Sequence, residues 1–139
     1  MILLDSDHLS ILQHFGSDRR ARIVARMALA TDEVFGTTIV NVEEQMKGWL
    51  ATLAKERQAL RQVSPYARLA GLFKFFQSFI LAPFDEPAAE LFNTFNRIRI
   101  GTADRKIAAV ARAQNALLLT ANRRGYEQIP GLQFANWLD

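Results

Sequence analysis

The chain has 139 residues, half of them hydrophobic, and its 17 Lys and Arg against 14 Asp and Glu give a net charge of +3. This length and composition predict one globular domain, residues 1–139, and the absence of cysteine excludes disulfides, zinc–thiolate sites and thiol catalysis. Because the N-terminus lacks the basic start of a signal peptide and no apolar run approaches the roughly 20 residues of a membrane span, we expect a cytoplasmic protein without a membrane segment.

The first predicted strand is the apolar run at positions 2–4, which ends at Asp5 and passes directly into a helix. Apolar residues at helical spacing then predict a short helix that includes Phe15 and stops at Gly16, followed by a second helix that begins at Asp18. Asp5 thus lies where a strand gives way to a helix, the position at which open α/β sheets collect functional groups.

The β-branched stretch at positions 34–40 predicts the second strand, after which Asn41 is expected to cap a long helix. Pro65 is expected to break that helical pattern and restart it. The short apolar run at positions 80–84 predicts a third strand at an edge of the sheet, where Pro83 is tolerated.

The second half of the chain continues this alternation. A helix is predicted over positions 85–98 and another begins at Gly101, while a fourth strand is expected over 117–119 and a fifth over 132–134. Short strands that alternate with helices predict an α/β fold, with a parallel sheet covered by helices on both faces.

Acidic or amide side chains stand where several of these strands end or helices begin. Asp5 follows strand one and Asn122 follows strand four. Glu44 lies three residues after the expected Asn41 cap and is therefore predicted in the first turn of that helix, and Asp104 lies in the first turn of a late helix. Because the carboxyl ends of parallel strands meet at one edge of the sheet, we expect these side chains to converge.

Each of these residues also has a purely structural explanation. Asn41 and Glu44 form a capping-box pattern. Asp104 complements a helix dipole, and Asp5 is able to cap the helix after strand one. Convergence favours the functional alternative, since packed carboxylates repel one another and a divalent cation offsets that repulsion.

Four segments resemble, in order, the successive motifs of PIN domains, most closely those of the VapC-type toxins of bacterial toxin–antitoxin pairs. They are Leu3-Leu4-Asp5-Ser6-Asp7-His8-Leu9-Ser10, Asn41-Val42-Glu43-Glu44-Gln45-Met46-Lys47-Gly48, Ile100-Gly101-Thr102-Ala103-Asp104-Arg105-Lys106-Ile107-Ala108-Ala109 and Leu118-Leu119-Thr120-Ala121-Asn122. The closing segment, Tyr126 to Leu132, also resembles those toxins.

This resemblance implies a three-layer α/β/α fold with strand order 3-2-1-4-5. It also implies an endoribonuclease that depends on Mg²⁺ or Mn²⁺, with an RNA substrate and a cognate antitoxin that occupies the site. Asp5, Glu44 and Asp104 match the family's metal-site acids and are the expected metal ligands. Together with Asn122, which matches the fourth, polar position, they are the expected catalytic residues, and Asp7 is expected just outside the ligands.

One departure from the family lies three residues after Asn122, where many relatives carry an acid and this chain has Gly125. It leaves open whether one or two metal ions bind. It also supports an alternative function, a catalytically degenerate PIN domain that binds RNA or protein. Outside this family, a receiver-like domain that carries a phosphoryl group on Asp5 is a third alternative.

Basic and aromatic residues predict partner surfaces. Four basic residues flank Asp104 and are expected to bind RNA phosphates: Arg97, Arg99, Arg105 and Lys106. Four phenylalanines occur within seven positions, more than one helical face holds: Phe73, Phe75, Phe76 and Phe79. We expect most of them in the core and the surplus at a homodimer contact or in an antitoxin groove.

Overall fold

A computed structural model describes residues 1–138, and at its centre is a parallel sheet of five strands. The strands are β1 (Ile2–Leu4), β2 (Phe35–Thr38), β3 (Ile80–Ala82), β4 (Leu117–Leu119) and β5 (Gln133–Ala135). They lie in the order β3-β2-β1-β4-β5, and each neighbouring pair is parallel. The α/β class and the expected strand order are therefore confirmed.

Helices cover both faces of this sheet. They are α1 (Ser6–Leu12), α2 (Asp18–Leu29), α3 (Ile39–Lys55), α4 (Ala59–Phe76), α5 (Glu86–Thr94), α6 (Thr102–Ala113) and α7 (Arg123–Tyr126). Because β1 is the central strand, its side chains enter two cores. Leu3 packs with α5, α6 and α7, whereas Ile2 and Leu4 pack with α1, α2 and α4. This is the expected three-layer arrangement, and within residues 1–138 no helix is long and apolar enough to cross a membrane.

The second strand ends earlier than predicted. β2 stops at Thr38, and α3 begins at Ile39 instead of after a cap at Asn41. The reason is the Thr38 hydroxyl, which accepts a hydrogen bond from the Asn41 backbone N–H at 3.1 Å and caps the helix three residues earlier. The predictions of Asn41 as the cap and of Glu44 in the first helical turn are therefore wrong, and Glu44 lies in the second turn of α3.

Other predicted boundaries also differ from the structure, including the end of β3, which stops at Ala82 and not at position 84. Pro65 lies buried inside α4, and the chain breaks between α3 and α4 at residues 56–58. Pro65 and the later α4 residues Leu72 and Phe76 are buried, and this burial outweighs the one backbone hydrogen bond that proline cannot donate, although Leu60 and Val63 before Pro65 are exposed. Phe15 lies beyond the end of α1 with 76% of its surface exposed, and α5 ends at Thr94, before the predicted end at position 98.

Candidate functional site

Asp5 is fixed at the carboxyl end of the central strand. Its carboxylate Oδ1 accepts hydrogen bonds from the Ser6 backbone N–H and from the Asn41 side-chain amide, both at 2.9 Å. Its Oδ2 accepts a hydrogen bond from the Thr120 hydroxyl at 2.8 Å. Only 7% of Asp5 is exposed, so donors from α1, α3 and the loop after β4 hold its carboxylate in one orientation.

Asn41 belongs to this site, although we expected it only as a helix cap. Its side chain is fully buried, and its Oδ1 accepts a hydrogen bond from the Thr38 hydroxyl at 2.7 Å. That bond turns the Nδ2 group toward the Asp5 carboxylate and the Ser6 hydroxyl, to both of which it donates. A buried amide needs partners for both of its ends, and here one end is tied to the helix start while the other supports Asp5.

Glu44 lies near the same edge of the sheet. Its Oε1 accepts a long hydrogen bond of 3.5 Å from the Ser6 hydroxyl. Partial burial raises the pKa of Glu44, and the negative charges of Asp5 and Asp104 raise that pKa further. Three carboxylates from distant parts of the sequence are thus close enough to repel one another.

Asp104, in the first turn of α6, is held by two uncharged donors. The Tyr126 hydroxyl donates to its Oδ1 at 3.2 Å, and the Asn122 amide donates to its Oδ2 at 3.3 Å. Partial burial raises the pKa of Asp104, and the charge of Asp5 adds to the increase, while these two hydrogen bonds oppose it. The pKa of Asp104 is raised overall, so these two hydrogen bonds orient the carboxylate but do not offset the effects of burial and of the Asp5 charge.

The loop after β4 and the short helix α7 that follows it supply those two donors. Asn122 is the N-cap of α7, and its Oδ1 accepts a hydrogen bond from the Gly125 backbone N–H at 3.3 Å while its amide reaches Asp104. Tyr126 is fully buried, and burial followed by the nearby carboxylates raises its pKa, so its hydroxyl remains protonated and donates. We expected Asn122 in the site, whereas no local pattern assigned Tyr126 to it.

Asp7 lies beside these acids but faces different partners. Its Oδ2 accepts a hydrogen bond from the Ala121 backbone N–H at 2.8 Å, and its Oδ1 lies 2.5 Å from Nδ1 of the buried His8. Burial alone would raise the pKa of Asp7, but the hydrogen bonds with His8 and Ala121 outweigh burial and lower it. Asp7 is therefore a charged support for the loop after β4.

The donor chemistry of this edge suits a hard divalent cation. Asp5, Glu44 and Asp104 offer oxygen atoms alone, and Asn122 adds an amide oxygen, which are the ligand types that Mg²⁺ and Mn²⁺ prefer. Among residues 1–138, no three carboxylate or imidazole side chains stand together as a formed ligand set. Repulsion between the acids favours this separation, and a cation shared by them would remove the repulsion that raises the pKa values of Glu44 and Asp104.

The four expected phosphate-binding residues lie in two different settings. Arg97 and Arg99 are exposed in the turn between α5 and α6. Arg105 donates to the Phe95 carbonyl at 3.4 Å, and its guanidinium lies 5.4 Å from the centroid of the Phe92 ring. Lys106 also lies over aromatic rings of this region, those of Phe84 and Phe92.

An apolar groove, here called the α1–α4 groove, lies where α1, α2 and α4 meet. It encloses about 590 Å³, and its lining is mostly apolar with two basic residues, including Leu12, Phe15, Arg20, Met27, Lys74 and Phe75. No acid of the candidate site lines it.

The phenylalanine cluster divides between core and surface. Phe76 is buried, and its ring packs against those of Phe75 and Phe79 with centroid separations of 5.2 and 6.4 Å. Phe73 is 59% exposed, so it forms part of a surface and not of the core.

Comparison with protein families and solved structures agrees with this architecture. A family model described as PIN domain matches residues 2–132. The chain is similar to a chain of DNA-bound VapBC from Salmonella typhimurium, with 21% identity over 98% of this chain and 97% of that chain and a TM-score of 0.76. It is also similar to a chain of VapBC2 from Rickettsia felis bound to a DNA fragment from their promoter, with 21% identity, 99% of each chain covered and a TM-score of 0.72.

A third similar structure is a toxin–antitoxin complex from Klebsiella pneumoniae, with 18% identity over 99% of this chain and 98% of that chain and a TM-score of 0.65. At these identities the likeness concerns the fold. No curated protein sequence matches the chain.

Proposed function

The chain belongs to the PIN domain family, and we propose that it is the toxin of a toxin–antitoxin pair and acts as a metal-dependent endoribonuclease. The observation that carries this proposal is the meeting of Asp5, Glu44 and Asp104 at one edge of the sheet, where they repel one another. The similar solved structures, which include a toxin–antitoxin complex, support the assignment to a toxin. Action on RNA implies a cytoplasmic location.

The strand order argues against the receiver-like alternative. In this chain β1 lies between β2 and β4. In receiver-like domains the first strand lies between the second and the third. A phosphoryl-accepting role for Asp5 therefore has no support from the topology.

In the proposed site, Asp5 and Asp104 would bind Mg²⁺ or Mn²⁺, and Glu44 would bind the ion through water or act as the general base. When bound, the cation lowers the pKa of its water and neutralises charge that develops on the phosphodiester during hydrolysis. In the metal-free protein, burial and the charges of Asp5 and Asp104 raise the pKa of Glu44. A bound cation would offset the contribution of the charges, and the contribution of burial would still favour proton uptake by Glu44. Asn122, whose amide donates to Asp104, would orient the water that is activated at this site.

Basic residues near α6 are proposed to bind the RNA phosphates that lie beside the acids. Arg97 and Arg99 are exposed and extend toward solvent. Arg105 and Lys106 complete the set, and they reach RNA only by leaving the aromatic rings they now contact. Single-stranded RNA fits such a surface, because its bases and backbone are both accessible.

The proposed antitoxin docks in the α1–α4 groove through an amphipathic helix. The apolar lining suits the buried face of such a helix, and Arg20 and Lys74 suit acidic residues at its border. Replacing Lys74 with Glu is expected to weaken antitoxin binding at least tenfold without changing the stability of the toxin. An unchanged affinity would place the antitoxin elsewhere.

A homodimer is proposed at the edge of the sheet that β3 forms. β3 has a partner strand on one side only, and Ile80 and Leu81 on it are 49% and 40% exposed. The exposed Phe73 lies on the helix that leads into this strand. A second copy that packs against this edge would cover apolar surface and unpaired backbone groups together. Sedimentation of the protein and of Phe73→Ser tests this, since the variant is expected to be monomeric.

Cleavage of total RNA by the purified protein with Mg²⁺ or Mn²⁺ tests the nuclease. Asp5→Asn and Asp104→Asn are each expected to reduce the rate on the order of 100-fold or more while the fold is retained. Asp18→Asn, which alters an exposed carboxylate in the first turn of α2, is the matched control and is expected to cleave normally. Cleavage by both site variants at the wild-type rate would overturn the assigned site.

Gly125 favours a second candidate function, the degenerate PIN domain that binds RNA or protein without cutting. That alternative predicts no cleavage and no thermal stabilisation by excess Mn²⁺. The nuclease predicts that RNA is cleaved and that excess Mn²⁺ stabilises the protein against heat. The stabilisation follows because a ligand that binds only the native state, at 100 times its Kd, stabilises that state by about 2.7 kcal/mol.

A further inference from the structure

His8 is fully buried in α1, and both nitrogens of its ring have partners. Nδ1 lies 2.5 Å from Asp7 Oδ1, and Nε2 lies 3.1 Å from the backbone nitrogen of Trp137. The proposed nuclease mechanism assigns no task to His8 or to the segment that contains Trp137.

The two contacts select one form of the imidazole. The Trp137 backbone N–H is a donor only, so Nε2 must accept and carries no proton. Nδ1 then carries the ring proton and donates it to the Asp7 carboxylate. The two contacts together therefore fit one imidazole tautomer.

Trp137 is itself fixed from two sides. Its ring meets the Phe35 ring of β2 edge to face with centroids 6.1 Å apart. The Arg26 guanidinium of α2 lies 4.6 Å from the centroid of the Trp137 ring. The C-terminal segment is thus anchored on two other elements when it presents its N–H to His8.

On its other side, His8 is connected to the acid cluster through Asp7. Asp7 accepts a hydrogen bond from the Ala121 N–H at 2.8 Å and a longer one from the Thr120 hydroxyl at 3.4 Å. The same Thr120 hydroxyl donates to Asp5, and the neighbouring Asn122 donates to Asp104. Contacts therefore run from Trp137 through His8 and Asp7 to the loop that holds two of the three acids.

We propose that His8 is a positioning residue that couples the C-terminal segment to the loop at 120–122. By donating to Asp7 it keeps that carboxylate turned toward the Ala121 N–H, and the loop in turn keeps its donors on Asp5 and Asp104. The consequence of this coupling for metal binding rests on the proposed function, whereas the hydrogen-bond coupling does not.

Two substitutions each remove one half of the coupling. In His8→Asn the amide nitrogen takes the place of Nδ1 and still donates to Asp7, but nothing accepts from Trp137. In His8→Gln the amide oxygen takes the place of Nε2 and still accepts from Trp137, but Asp7 loses its donor. Amide hydrogen exchange of the metal-free, full-length protein measures the protection of the Ala121 and Trp137 amides separately.

His8→Gln is expected to reduce the exchange protection of the Ala121 amide about tenfold and to leave that of Trp137 unchanged. His8→Asn is expected to give the reverse pattern. Equal losses at both amides in both variants would show that His8 only fills space, and would overturn the proposal.

The wild-type protein provides a test that needs no substitution. Long-range ¹H–¹⁵N correlation distinguishes the imidazole tautomers, and His14 is the other histidine of the chain and serves as the reference signal. We expect a protonated Nδ1 and an unprotonated Nε2 for His8. The opposite tautomer, or a mixture, would overturn the proposal even if neither variant folds.

Mn²⁺ binding links this residue to the site. His8→Gln is expected to weaken Mn²⁺ binding about tenfold and His8→Asn by less than about threefold. If the wild-type protein binds no Mn²⁺ and cuts no RNA, the proposed function fails, and the exchange and tautomer measurements still decide the role of His8.

Discussion

Gly125 lies so close to the Asn122 side chain that a β-carbon on Gly125 would be 2.7 Å from Asn122 Nδ2. Any other residue at position 125 therefore displaces the amide that caps α7 and donates to Asp104. The glycine at position 125 therefore depends on the asparagine three residues before it, because this position of Asn122 leaves no room for a side chain at 125.

Gly125→Ala is expected to lower the free energy of unfolding by about 1–2 kcal/mol, since the added methyl group pushes the Asn122 cap out of place. Urea denaturation measures the change. Gly71→Ala in α4, where a β-carbon would contact nothing within 4 Å, is the control and is expected to stabilise the protein by up to about 1 kcal/mol. Wild-type stability of Gly125→Ala would show that Asn122 has other positions of equal energy.

Tyr126→Phe removes one hydroxyl and keeps the buried ring. Asp104 then loses the donor to its Oδ1, so we expect the RNA cleavage rate to fall about tenfold while the free energy of unfolding falls by only about 1 kcal/mol. Single-turnover kinetics and urea denaturation give the two numbers. Tyr66→Phe, on an exposed tyrosine of α4, is expected to change neither, and a Tyr126→Phe enzyme with the wild-type rate would exclude a supporting role for the hydroxyl.

The metal-free protein is expected to become more stable as the pH falls from about 7 to about 5. The pKa values of Glu44 and Asp104 are raised in the folded state, so the native state binds more protons than the unfolded state in the window just above the usual carboxyl range. Stability therefore falls as the pH rises through that window. Because both side chains are partly exposed, solvent screening keeps the effect small.

At lower pH the lowered pKa of Asp7 acts in the opposite direction, and stability is lost as that carboxylate becomes protonated. Urea midpoints measured in EDTA across this pH range test the prediction. The double variant Glu44→Gln, Asp104→Asn is expected to flatten the upper part of the curve. A stability that rises from about pH 5 to about pH 7 in the metal-free wild type would contradict it.

Thr38→Val keeps the shape of the side chain but removes the hydroxyl that caps α3 and anchors the Asn41 amide. We expect the free energy of unfolding to fall by about 2 kcal/mol, since a cap and a buried hydrogen bond are lost together. Thr52→Val, on an exposed position of the same helix, is expected to stay within about 0.5 kcal/mol of wild type. Equal urea midpoints for the two variants would exclude this role of Thr38.

The parts of the fold that local patterns predict are those with local causes. The apolar run of β1, the glycine before α6 and the acid at the end of β1 each reflect the geometry of their own segment. The strand order required the whole-chain resemblance, because no single segment encodes its neighbour in the sheet. The convergence of the acids was expected from the parallel sheet itself, since the carboxyl ends of its strands meet at one edge.

Residues whose roles depend on distant partners were missed or given the wrong role. Asn41 is of a residue type that often caps helices. Its contacts with the Thr38 hydroxyl and the Asp5 carboxylate show that its buried side chain instead links these two groups. Tyr126 is a buried aromatic residue, and its hydroxyl donates to Asp104 only because α6 brings that carboxylate close to it. Nothing within either segment reports these contacts.

The pairing of β1 with β4 determines when the proposed site comes into existence during synthesis. Asp5 leaves the ribosome 115 residues before Thr120, whose hydroxyl holds its carboxylate. A nascent chain therefore carries the first acid long before it has a neighbouring strand, a loop or the remaining donors. This topology therefore keeps the proposed site incomplete until the segment that contains Thr120 has been synthesised.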